Sequence, residues 1–269
     1  MRYLKTYRVF ESEPAAPTLT EDQIGWLNSC TAVSWKLNPT TRLIDVDGDF
    51  DCMSKNLTDL KGIKFGKVSG SFYCNDNLLT NLEGAPQTVG GDFSCGNNQL
   101  TSLEGAPQTV DRDFSCNDNL LTSLEGAPQT VDRDFSCNGN QLTSLEGAPQ
   151  TVDRSFYCND NLLTSLEGAP QTVDWDFYCN GNQLTSLEGA PQTVGCSFSC
   201  NGNPVSKETL ASIFTLMKTR SYQQALEEHW PKMNSDDRAL MYKQMPNLPP
   251  EETRKYQALA TVNRMKGYL

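Results

Sequence analysis

A repeat solenoid is the fold class this sequence predicts: a parallel β-sheet on the concave face, an extended, non-helical convex side and α-helical caps at both ends. Three observations carry the prediction. Cys74, Cys95, Cys116, Cys137, Cys158, Cys179 and Cys200 stand 21 residues apart. Around each of them runs, with few departures, the unit V-x-x-x-F-x-C-x-x-N-x-L-T-x-L-E-G-A-P-Q-T. Every complete unit also carries a Gly and a Pro on its return path, where they break any helix.

The elements follow in chain order. Residues 1–45 form an N-terminal segment and helical cap. Its opening "MRYLKTYRVF" reads as a strand or a short docking peptide, and "ESEPAAPT" as a linker. In "LTEDQIGWLNSC" Thr20 stands three residues before Gln23, which is a capping-box spacing, and Ile24, Trp26 and Leu27 give the helix an apolar side to cover the first coil.

Residues 46–205 hold about eight repeat units. Taking Val110 to Val131 as the example, Phe114 and Cys116 lie two apart on a short strand, so both point inward. Leu121, Leu124 and Val131 turn the chain and fill the core between coils. Asn119 stands where a turning backbone needs a polar partner, and its equivalents Asn77, Asn98, Asn140, Asn161, Asn182 and Asn203 are expected to stack as a ladder. "VDGDFDCMSKNLTDL" is a degenerate first unit in which Lys55 replaces the ladder asparagine, as suits a terminal coil. After Pro204 the period stops. Residues 206–269 show helical patterns, with Ser206 as N-cap and Leu210, Ile213, Phe214 and Met217 on one face, and form a C-terminal cap or extension.

The units "LTSLEGAP" and "FSCGNNQL" resemble the leucine-rich-repeat family, in particular its short bacterial and phage repeats, over residues 46 to 205. The flanks "MRYLKTYRVFES" and "SYQQALEEHWPKM" are similar to the ends of tailed-phage proteins. The resemblance implies a phage origin but no activity. A finer period lies inside the first: Leu78, Leu120 and Leu162 alternate with Gln99, Gln141 and Gln183, as expected from duplication of a 42-residue pair.

Charge and composition exclude several functions. The net charge of −11 is concentrated in residues 51–203, which carry −12, so nucleic acid is not expected at the repeats. No apolar run is long enough to span a bilayer and no secretory-type start is recognised, so the expectation is a monomeric protein of the cytoplasm, the host cytoplasm if phage-encoded, with virion association as the alternative. His229 is the single histidine, and no nucleophile elbow, phosphate loop or paired-cysteine zinc spacing accompanies it. The expectation is therefore no enzyme, no catalytic residue, no metal and no cofactor. The cysteine column reads as small buried hydrophobes rather than ligands. Cys196 stands where Arg112, Arg133, Arg154 and Trp175 stand in earlier units, and is expected to be exposed and reactive.

The surface most open to a partner is the concave one. Near-identical units repeat their surface residues simply because they were copied, so the informative positions are those where copies differ. Tyr157, Trp175 and Tyr178 break the Ser and Arg pattern in adjacent late units. Large aromatics are enriched at protein interfaces. These three, with Arg154, Asp176, Arg133, Asp134, Arg112 and Asp113 around them, form the predicted partner-binding face of a non-enzymatic protein-interaction module acting on a host or viral protein, with counter-defence as one such role. Two alternatives remain: a virion or tail-associated structural protein, and a binder of cations or small ligands on the Asp and Asn columns.

Overall fold

The computed structural model describes residues 19–205. The opening decapeptide and the helices expected over 206–269 lie outside the described residues. Helix α1 (Glu21–Cys30) is followed by a hairpin of β1 (Trp35–Leu37) and β2 (Ile44–Val46), and then by a right-to-the-end stack of coils in parallel register. Thr20 caps α1 as its spacing predicts: its Oγ1 accepts from the Gln23 N–H at 3.1 Å, and the Gln23 Oε1 accepts from the Thr20 N–H at 3.0 Å. Leu27 and Cys30 are buried in the core, whereas Ile24, expected on the same apolar side, is 38% exposed. The side is narrower than predicted because Trp26 already covers the first coil, its ring meeting Phe50 edge-on at 5.4 Å and Phe65 at 6.4 Å.

Each coil contributes not one strand but two. The Phe-Cys strands, from Phe50–Asp51 through Phe198–Ser199, form the expected parallel sheet, of eight strands. A second sheet of nine strands runs along the return path, built from β1, β2, Phe65–Val68 and the Thr-Val pairs from Thr88–Val89 to Thr193–Val194. The expectation of a single sheet is therefore corrected. Val131, expected at a turn, is a strand residue whose register partners are Val110 and Val152. The return path is extended, as predicted, but also hydrogen-bonded. The reason is geometric: coils of identical length bring equivalent backbone segments side by side at about 4.8 Å, and any extended segment so placed pairs with its copy. Among the described residues between 31 and 205 there is no helix.

The core is a set of columns one residue wide. Eight phenyl rings, Phe50, Phe72, Phe93, Phe114, Phe135, Phe156, Phe177 and Phe198, stack with centroids 5.1 to 5.7 Å apart and planes within 13° of parallel. Columns of Val, Leu and Cys run beside them, almost all buried. The Gly of each Glu-Gly-Ala-Pro turn has no substitute. Gly126 sits at φ +89°, and a Cβ there would come within 2.7 Å of the Leu103 carbonyl carbon in the coil below. Among the described residues no helix is long and apolar enough to cross a membrane.

Candidate functional site

The predicted partner-binding residues fall on two neighbouring places of the coil. The corner between the two sheets carries Arg112, Arg133, Arg154 and Trp175 on successive coils, and the outer face of the Phe-Cys sheet carries Tyr157 and Tyr178. The corner is open because the chain must turn there between two inward-facing residues, Val and Phe, and the residues between them have no core to enter. Trp175 is 49% exposed. The Arg154 guanidinium carbon lies 4.9 Å from the centre of its ring, a cation–π contact that holds the indole in place. The Trp175 N–H donates to the Arg154 carbonyl at 3.1 Å, so the two coils are tied at this point. On the sheet face Tyr157 and Tyr178 are register partners whose rings meet edge-on at 5.5 Å.

The acidic residues of the predicted face also bond to the backbone. The Asp113 Oδ1 accepts from the Asp134 N–H at 3.1 Å, the Asp134 Oδ1 from the Ser155 N–H at 3.0 Å, and the Asp176 Oδ1 from the Ser197 N–H at 2.9 Å. Each carboxylate thus caps the backbone of the next coil. Charge-assisted bonds of this kind are stronger than neutral ones and offset the repulsion expected of a stacked aspartate column. Arg133 stands 3.6 Å from Asp113, with both side chains more than a third exposed, so the pair adds about 0–1 kcal/mol. Sequence reasoning missed this capping role. The recurrence of Asp or Ser, both short acceptors, at one position is the signal for it.

A second polar column borders the tyrosines. The Asn117 Oδ1 accepts from the Asn138 N–H and from the Ser136 Oγ, both at 2.7 Å. The pattern continues through Asn159, Asn180 and Asn201, each N–H donating to the amide oxygen one coil earlier at 2.7 to 2.9 Å. These amides bind the scaffold to itself and make the platform under Tyr157 and Tyr178 stiff.

The cysteines are all free, and eight of them, Cys52 to Cys179 in the column together with Cys200, lie buried at the core positions predicted for packing. Burial pushes the thiols of Cys74, Cys95, Cys116, Cys158 and Cys179 well above the ordinary value, and that of Cys200 up to about 12. Burial thus disfavours the thiolate, the form that acts as nucleophile or ligand. Cys196 occupies the corner and is half-buried rather than fully exposed, its N–H donating to the Trp175 carbonyl at 2.7 Å. Among the described residues no group of three or more His, Cys, Asp or Glu side chains converges as a metal site would require. No protein-family model matches the chain, and none of the curated proteins compared with it is significantly similar.

Proposed function

We propose that the chain is a leucine-rich-repeat protein of phage type, and that it acts as a non-enzymatic protein-binding module whose contact centres on Arg154, Trp175, Tyr157 and Tyr178. The family reading is supported by the Phe-Cys-Asn-Leu spacing and by the way each buried asparagine serves the coil before it. The binding reading rests on one observation: a half-exposed indole, pinned by Arg154 on a coil corner that is hydrogen-bonded to its neighbours. A large side chain held in place before binding loses little entropy when a partner covers it, and such residues dominate interface energetics.

The experiment is affinity capture from cells of the bacterial host, followed by titration of the purified partner against the chain and its variants. Truncating an interface anchor often costs about 2 kcal/mol or more, so Trp175→Ala is expected to weaken binding about thirtyfold with the circular dichroism spectrum unchanged. Equal binding by Trp175→Ala and Tyr178→Ala, with loss of binding on removing residues 206–269, would move the site to the C-terminal segment. A second reading, a rigid spacer in a virion, is favoured by the unbroken coil-to-coil hydrogen bonding. Recovery of the chain from purified virions supports it.

A further inference from the structure

The cap over the first coil serves one sheet and leaves the other open. On the return path the hairpin supplies β1, which pairs antiparallel with β2 and covers that side of the stack. The Phe-Cys sheet has no such strand. It begins at β3 (Phe50–Asp51), which among the described residues has a neighbour on one side only, the strand Phe72–Tyr73. The Phe50 and Cys52 N–H groups donate to the Ser71 and Tyr73 carbonyls, both at 2.8 Å. Backbone groups alternate in direction along a strand, so the N–H and carbonyl of Asp51, between them, point away from the stack. The cap reaches as far as Asp49, whose carbonyl accepts from the Thr31 Oγ1 at 2.7 Å, and the Met53 N–H is taken by the Asp51 carboxylate at 2.9 Å. Among the described residues Asp51 is thus the open end of the sheet, and an open end is a template for another strand.

This edge lies in a groove of about 450 Å³ between the C-terminal turn of α1 and the first coil. Ser29, Cys30 and Thr31 stand on one wall, and Asp51, Met53 and Lys55 on the other. Met53 is 41% exposed. Free backbone groups beside an exposed apolar side chain are what an extended peptide uses when it adds to a sheet. The groove occurs on one coil only, so copying of units does not account for it.

We propose that residues 1–10 of this chain occupy the groove, adding to β3 as a ninth strand of the Phe-Cys sheet. They lie outside the described residues, and composition, charge and reach argue for them. Half of "MRYLKTYRVF" is β-branched or aromatic, and it contains no Gly, Pro, Asn or Asp. Arg2, Lys5 and Arg8 give it three positive charges and it has no acid. The groove walls are neutral, Asp51 offsetting Lys55, but residues 51–203 beyond them carry −12 and attract a basic strand. Helix α1 is about 15 Å long, so the groove at its last turn lies about that far from Leu19. Residues 11–18 can span about 26 Å. A tether this short holds the decapeptide at an effective concentration on the order of millimolar. Residues 206–269, by contrast, leave from the last coil, about 34 Å away.

A strand added at β3 also removes the template on which a second copy could pair. The groove is at the opposite end of the stack from the coil of Trp175, so its fate and that of the partner-binding reading are independent.

The test is amide hydrogen exchange of the full chain, read residue by residue by NMR. The Asp51 amide is expected to exchange at least about tenfold more slowly than in a Thr6→Pro/Tyr7→Pro chain, in which the segment loses a donor on each of its sides. Amides of residues 1–10 should be slowed by a similar factor against the free synthetic decapeptide, to the same extent at every protein concentration. Asp51→Pro removes the N–H at an edge, where proline is tolerated. It should return residues 1–10 to the rate of the free peptide with unchanged circular dichroism. If that chain fails to fold, the double-proline chain, altered only outside the coils, decides alone. An Asp51 amide that exchanges equally fast with and without the two prolines overturns the proposal, as does free-peptide exchange of residues 1–10 in the full chain. Protection of residues 1–10 that survives in a folded Asp51→Pro chain places the segment elsewhere, and protection that grows with concentration gives the groove to the segment of a second copy. Either result overturns the assignment made here.

Discussion

A single buried amide shows how the stack is held. Asn140 donates from Nδ2 to the carbonyls of Cys116, Cys137 and Asn138, each at 3.1 Å, and its Oδ1 accepts from the Leu121 N–H at 3.1 Å. Two of these partners belong to the coil before it. This explains why Lys55 is tolerated in the first coil: Asn77 reaches back to the Cys52 carbonyl and accepts from the Lys55 and Leu57 N–H groups, while the first coil has no predecessor to serve. Asn140→Ala leaves several buried backbone groups unpaired at about 1–3 kcal/mol each. A loss of about 3 kcal/mol or more is expected in urea denaturation. Asn140→Asp should be no better, because a buried carboxylate can accept from Leu121 but has nothing to donate to the two cysteine carbonyls. The ladder was legible in the sequence as a recurring asparagine. Its direction, each amide serving the preceding coil, was not, because a period carries no sign.

At the scale of elements, the two-residue strands are too short to be stable alone and depend on the columns beneath them. The phenylalanine column is the most demanding, since each interior ring is stacked on both faces. Phe135 lies 5.2 Å from Phe114 and 5.1 Å from Phe156. Phe135→Ala should cost about 3–5 kcal/mol, and Phe135→Leu clearly less, because leucine refills most of the space. Comparison of their urea midpoints checks this. Equal losses for the two would mean that the stacked ring itself, and not the volume it fills, is what the column requires. That Phe and Cys share one inward face followed from their spacing of two. The second sheet was hidden because Gln-Thr-Val is only one alternation long, and a stretch that short is a strand solely by virtue of the copy lying beside it.

For the whole molecule, the buried thiol column makes stability depend on pH in one direction. Eight thiols, Cys52, Cys74, Cys95, Cys116, Cys137, Cys158, Cys179 and Cys200, are raised from the ordinary value of 9.0, with burial as the main cause in each. In the fold they stay protonated, while in the unfolded chain they ionise. Their contribution is fully present below the unfolded value and is lost as pH rises above it. Each thiol removes about 1.4 kcal/mol per pH unit in that range, or about 11 kcal/mol for the eight together, against a total stability of about 5–15 kcal/mol for a typical domain. The melting temperature is therefore expected to be flat up to about pH 8 and to collapse within about two units above it. A melting temperature that holds steady to about pH 10.5 would show that the thiols ionise as readily in the fold as out of it.

The sequence by itself determined the period, the inward residues and the absence of helix on the return path, because each of these is a property of one coil: spacing of two puts Phe and Cys on one face, and Gly and Pro forbid a helix wherever they fall. It also marked Tyr157, Trp175 and Tyr178 as the places where the copies differ. What only the tertiary structure decided is everything that needs two coils at once. The second sheet, the aspartates bound to the backbone above them and the Arg154 guanidinium on the Trp175 ring all arise from residues 21 positions apart meeting across the strand spacing. Local propensity does not reach that far. The stacking of one coil on the next supplies the partner, and with it the role.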